Sequence, residues 1–117
     1  MPVPRLKRVY DVPAEADGMR VLVDRLWPRG LSKEKAAVDL WLKDVAPSDA
    51  LRHEFHAHPE RFGDFRKAYA AELHGSEALA ELRKLAGTRR VTLLYAAKDD
   101  AHNNAVVLGS LLQAKAP

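Results

Sequence analysis

A chain of 117 residues, 47% apolar and 30% charged, has material for one folded domain over residues 1–117; a second core and a disordered polymer are both excluded. The absence of cysteine excludes disulfides, thiolate metal sites and cysteine nucleophiles. A net charge of +3 is too small to argue for nucleic acid, but its excess is local: residues 1–35 carry eight basic and five acidic side chains, whereas residues 36–117 carry eleven of each.

In chain order, Leu6, Val9 and Val12 give a poor alternation, read as an edge strand over Leu6–Asp11 stopped by Pro13, and Ala14–Gly18 reads as a turn. Arg20–Asp24 (RVLVD) is a β-branched run of the kind buried on both faces of a parallel sheet. Pro28 and Gly30 forbid regular structure in Asp24–Gly30, and Ser32 reads as the N-cap of a short helix from Lys33 to about Val38. Asp39–Val45 fits a strand or an extended connection. Pro47-Ser48-Asp49 starts a helix over Ala50–Ala57, and Pro59 opens another, with Phe62, Phe65, Tyr69 and Leu73 on one stripe and Gly75 at its end.

Ser76 caps a third helix that turns Leu79, Leu82 and Leu85 inward and has Gly87 past its end. Arg90–Ala96 (RVTLLYA) is a second buried strand, followed by the polar turn Ala97–Asp100 and a final helix over about Ala101–Ala114. Two buried strands separated by helices predict an α/β fold, a small open and mostly parallel sheet of about three to five strands with helices on both faces. No stretch reaches the roughly 20 apolar residues of a membrane span or resembles a signal peptide, so no membrane partner is expected and the expected location is the cytoplasm.

Ligands of open parallel sheets gather outside the carboxyl ends of the strands. The first strand delivers Asp24, Arg25, Trp27 and Arg29 there; the second delivers Lys98, Asp99, Asp100, His102, Asn103 and Asn104. Arginines bind phosphate or carboxylate through paired hydrogen bonds, and tryptophan offers a stacking face. The bland alternative has Trp27 plugging the core while Asp24 pairs with an arginine. At the helix entry, backbone N–H groups favour an anion and His102 can exchange protons near neutral pH; alternatively Asp99 or Asp100 is a cap and the asparagines satisfy nearby backbone. His53 and His56 stand one helical turn apart, but Pro59 breaks the helix beside His58, so no third ligand is fixed and no metal is expected. Trp41 reads as core. Nothing matches a nucleophile elbow, a phosphate-binding loop or a dinucleotide fingerprint, and no cofactor is expected.

Val21–Ser48 and Leu94–Leu108, with His58-Pro-Glu-Arg-Phe62, Tyr69 and Leu73 between them, resemble the signature blocks of the YeaO-like branch of domain of unknown function family 488. The resemblance covers nearly the whole chain and implies an identity without an activity. The broader family has a Val-Asp-x-Arg-like strand end, similar to Val23-Asp24-Arg25, and a Cys-His-Arg-type turn. The corresponding turn here holds His102-Asn103-Asn104 and lacks that cysteine and arginine, which argues against thiol chemistry.

The expected function is binding or processing of an anionic small molecule, nucleotide-like in character. Arg25 and Arg29 would hold the anion and Trp27 would stack; Asp24 or His102 would transfer protons, with Lys98, Asn103 and Asn104 orienting the substrate. The alternative is a nucleic-acid-associated or regulatory binding module without catalysis, using the basic first third together with Arg25, Arg29 and the Arg89-Arg90 pair. Against it, no helix carries a basic stripe.

Overall fold

The computed structural model describes residues 4–113, so the last residue of the final expected helix, Ala114, lies outside the described residues. Four parallel strands, β1 (Arg5–Arg8), β2 (Met19–Leu22), β3 (Leu40–Trp41) and β4 (Val91–Tyr95), form one sheet in the order β1-β4-β2-β3. The two β-branched runs are its centre: all five residues of β4 are buried, as are Arg20, Val21 and Leu22 of β2. The charged edge strand β1 (RLKR) stays partly exposed, which discourages pairing with a further strand.

Side chains alternate across each strand, so the sheet sorts its residues by parity. Val21, Val23, Val91, Leu93 and Tyr95 face one side and pack with α2 (Asp49–Ala57), α3 (Phe62–Glu72), α4 (Glu77–Thr88) and α5 (Asn104–Gln113). Leu22 and Leu94 face the other, under the single-turn α1 (Lys33–Ala36), Trp27 and Trp41. Among the described residues, α-helices lie on both faces of this α/β sheet, four on one and one short turn on the other.

Ser32, Ser48 and Ser76 cap α1, α2 and α4, each side chain accepting from the backbone N–H three residues on. Several boundaries differ from expectation. The first helix stops at Ala36 because Ala37 adopts a left-handed conformation (φ 49°) and the Arg20 guanidinium donates to the carbonyls of Ala36 and Ala37. Gly87 lies inside α4, which ends only where Arg89 becomes extended. The last helix starts at Asn104, not Ala101, because Asp99 accepts the N–H groups of Ala101 and His102 in a turn, and Asn103 Oδ1 then accepts Val106 N. Gly18 (φ 65°) is required at the entry to β2, since a Cβ there would stand 2.5 Å from the Arg90 carbonyl oxygen.

Beside that glycine lies a charge cluster for which the sequence gives only a turn. Asp17, 3% exposed, accepts from Arg20 Nη1 at 2.6 Å, from Lys7 Nζ at 3.1 Å and from Ala14 N at 3.0 Å, while Thr92 donates to its backbone carbonyl. Burial works to raise this carboxyl, but the Ala14 N–H, Lys7 and Arg20 outweigh it and hold it below the usual carboxylate range.

Candidate functional site

The central strands β2 and β4 end side by side, with Val23 N still donating to Leu94 O at 3.1 Å. This register brings the loops 24–31 and 96–103 together at the carboxyl edge of the sheet. Asp24 joins them. Its Oδ2 accepts Ala96 N at 2.9 Å, its Oδ1 accepts Asn104 Nδ2 at 3.1 Å, and its backbone carbonyl accepts Trp41 Nε1 at 2.7 Å. Burial raises the Asp24 carboxyl above its ordinary value, against the lowering pull of the Ala96 N–H and Asn104. Among the described residues no cation pairs with it, so the arginine partner of the bland alternative does not form.

A cavity of about 430 Å³ opens at this edge. Asp24, Arg25, Trp27 and Arg29 line it from the first loop; Lys98 and Asn103 from the second, with Asn104 at the start of α5. Two hydrogen bonds hold the first loop in shape: Trp27 Nε1 donates to Leu31 O at 2.7 Å within it, and the Tyr10 hydroxyl donates to Arg29 O at 2.9 Å from outside. Trp27 packs edge-on against Trp41, ring centroids 5.3 Å apart, so one tryptophan both closes the second core and walls the cavity.

The expected residues differ in how far the fold already employs them. Asn103, 2% exposed, is spent on α5: its Nδ2 donates to Asp99 O and its Oδ1 accepts Val106 N. Asn104 Nδ2 is shared between Val23 O and Asp24 Oδ1. Arg25 Nε reaches Pro47 O at 3.4 Å and stands 3.9 Å from Asp49 Oδ1. The Arg29 and Lys98 side chains are exposed at the cavity rim. His102 is not brought in. Its exposed ring lies 3.0 Å from Asp99 Oδ2 and edge-on to Phe62, outside the cavity lining, where the Ala101 N–H and then His102 lower the Asp99 carboxyl.

The second wall had not been expected from sequence. It comes from α2 and α3, which contribute Arg52, Phe55, His56 and Phe65; Tyr10 also lines the cavity. Phe55 and Phe65 stack at 4.4 Å. Arg52 Nη2 pairs with Asp49 at 3.3 Å, while its Nε is buried without a partner among the described residues. The signal lay in α2, where Arg52, Phe55 and His56 share one face; read for metal spacing, that segment looks like a solvated surface. Among the described residues no three side chains converge in a way that could hold a metal ion.

Sheet order and cavity together define the class, a small parallel α/β protein that presents a basic, aromatic-walled cavity at its strand carboxyl ends. The chain belongs to the DUF488-N3i family, described as the inactive DUF488-N3 subclade, whose model matches residues 4–116. It is 50% identical over 111 residues to the uncharacterized protein Rv3073c of Mycobacterium tuberculosis, covering 95% of this chain and 94% of that one. It is 44% identical over 108 residues to the uncharacterized protein YeaO of Escherichia coli, covering 92% and 94%. No solved structure gives a significant match.

Proposed function

We propose that the carboxyl-end cavity binds a small anionic molecule with a planar body and holds it without turning it over. The observation that carries this reading is the meeting of basic side chains from three segments, Arg25 and Arg29, Lys98, and Arg52, around walls of Trp27 and the Phe55–Phe65 stack. Guanidiniums supply the paired donors an oxyanion needs, and the aromatic walls bury the body of the ligand. Binding rather than catalysis is favoured by two things: the description of the family as inactive, and the position of His102 beside Asp99 and outside the cavity lining.

Phenyl phosphate and 2-naphthoate are suitable probes, since each joins an aromatic ring to an anion. A ligand at ten times its Kd adds about 1.4 kcal/mol of stability. For a domain of this size that is a rise in Tm of roughly 5 °C. Arg29→Ala should abolish this rise while leaving the unliganded Tm within about 2 °C, because the side chain is exposed. Unchanged stabilisation in that variant, or its unfolding, would overturn the reading. So would tight oligonucleotide binding with a steep salt dependence, which would put a phosphate-backbone surface in its place.

A further inference from the structure

We propose, building on the binding reading above, that Asp24 recognises a ring edge carrying two adjacent N–H donors, the 2-amino-4-oxopyrimidine edge shared by guanine and pterin, with the anionic part of the ligand toward Arg25, Arg29 and Lys98. An ionised carboxylate offers about four lone-pair positions. The protein fills one on each oxygen, Ala96 N on Oδ2 and Asn104 Nδ2 on Oδ1. Among the described residues, one acceptor position therefore remains on each oxygen, the arrangement that two parallel N–H groups match.

Both of the donors in place are neutral, and no cation pairs with Asp24 among the described residues, although the rest of the cavity is basic. A partly buried carboxylate left in this state favours a ligand that brings donors to it. Asp24 is also held in position, its backbone carbonyl fixed by Trp41 Nε1 and its carboxyl by two loops, so the acceptor pair is preorganised. Trp27 and the Phe55–Phe65 stack line the same cavity and offer faces for a flat ring.

An adenine edge presents a ring acceptor beside its amino group, which sets acceptor against acceptor at Asp24. A hypoxanthine edge keeps one N–H and loses the second.

The test is calorimetric titration of the unmodified protein with guanosine, inosine and adenosine monophosphates and with pterin-6-carboxylate. Guanosine monophosphate or the pterin should bind tightest, whichever of the two is the better source of the edge. Inosine monophosphate should bind about tenfold or more weaker, the effect of one lost hydrogen bond to a charged acceptor, and adenosine monophosphate weaker still. Asp24→Asn, with its fold checked by circular dichroism, should erase the guanosine–inosine difference. Equal affinity for the three nucleotides overturns the edge proposal and leaves the anion reading standing. Failure of all four ligands while phenyl phosphate or 2-naphthoate stabilises the protein does the same. Failure of every probe overturns both.

Discussion

Asp17 and Asp24 flank the same central strand and meet opposite surroundings. At the amino end of β2, Asp17 is 3% exposed and lies between Arg20 at 2.6 Å and Lys7 at 3.1 Å; its carboxyl is lowered. At the carboxyl end, Asp24 receives, among the described residues, only a backbone N–H and an amide, and its carboxyl is raised. The first carboxylate has every partner it needs within the chain, and what it does is close a structure: it ties β1 to β2, while Arg20 ends α1. The second lies uncompensated in a cavity whose other charges are basic. A difference of this kind separates a group that completes the fold from one placed to meet a ligand.

Substitution should make that contrast measurable. Asp17→Ala leaves the buried Arg20 without its carboxylate and should cost about 3–5 kcal/mol, the usual consequence of stranding one half of a buried ion pair. Asp24→Asn keeps an acceptor for the Ala96 N–H, and the weakened Asn104 contact is offset by relief of the buried charge, so it should cost at most about 1 kcal/mol, read from urea midpoints at neutral pH. If the two costs were equal, or their order reversed, the contrast would fail.

The same melts repeated across pH give the signs. Because the Asp17 carboxyl is lowered in the folded state, its contribution is fully present above the ordinary carboxylate value and is lost as pH falls through the lowered one. Because the Asp24 carboxyl is raised, its ionised form opposes folding at neutral pH, and that opposition is relieved as pH falls through the raised value toward the ordinary one. Asp24→Asn should flatten the second window and leave the first.

Much of the frame was legible because it rests on local signals. RVLVD and RVTLLYA read as buried strands from composition alone, and the serines before α1, α2 and α4 cap as their positions suggest. The loops carrying Asp24 to Arg29 and Lys98 to Asn104 could be placed together because parallel strands present their carboxyl ends on one edge. Less local features escaped. Arg52, Phe55 and His56 share one face of α2, but that this face meets the cavity depends on how α2 packs against α3, which no pattern within α2 specifies. The Asp17–Arg20 pair was hidden because a charged residue at a strand start reads as solvated unless its partner is known. His102 was drawn to the site by residue type, yet a turn built on Asp99 directs its ring to Phe62.

The most direct measurement is a carbon-detected NMR titration of the Asp17 and Asp24 carboxyls in the folded protein. Asp17 should titrate below the ordinary aspartate value and Asp24 above it. An Asp24 that titrates below that value would mean the carboxylate is already compensated within the chain, and would remove the reason to place a ligand's donors there.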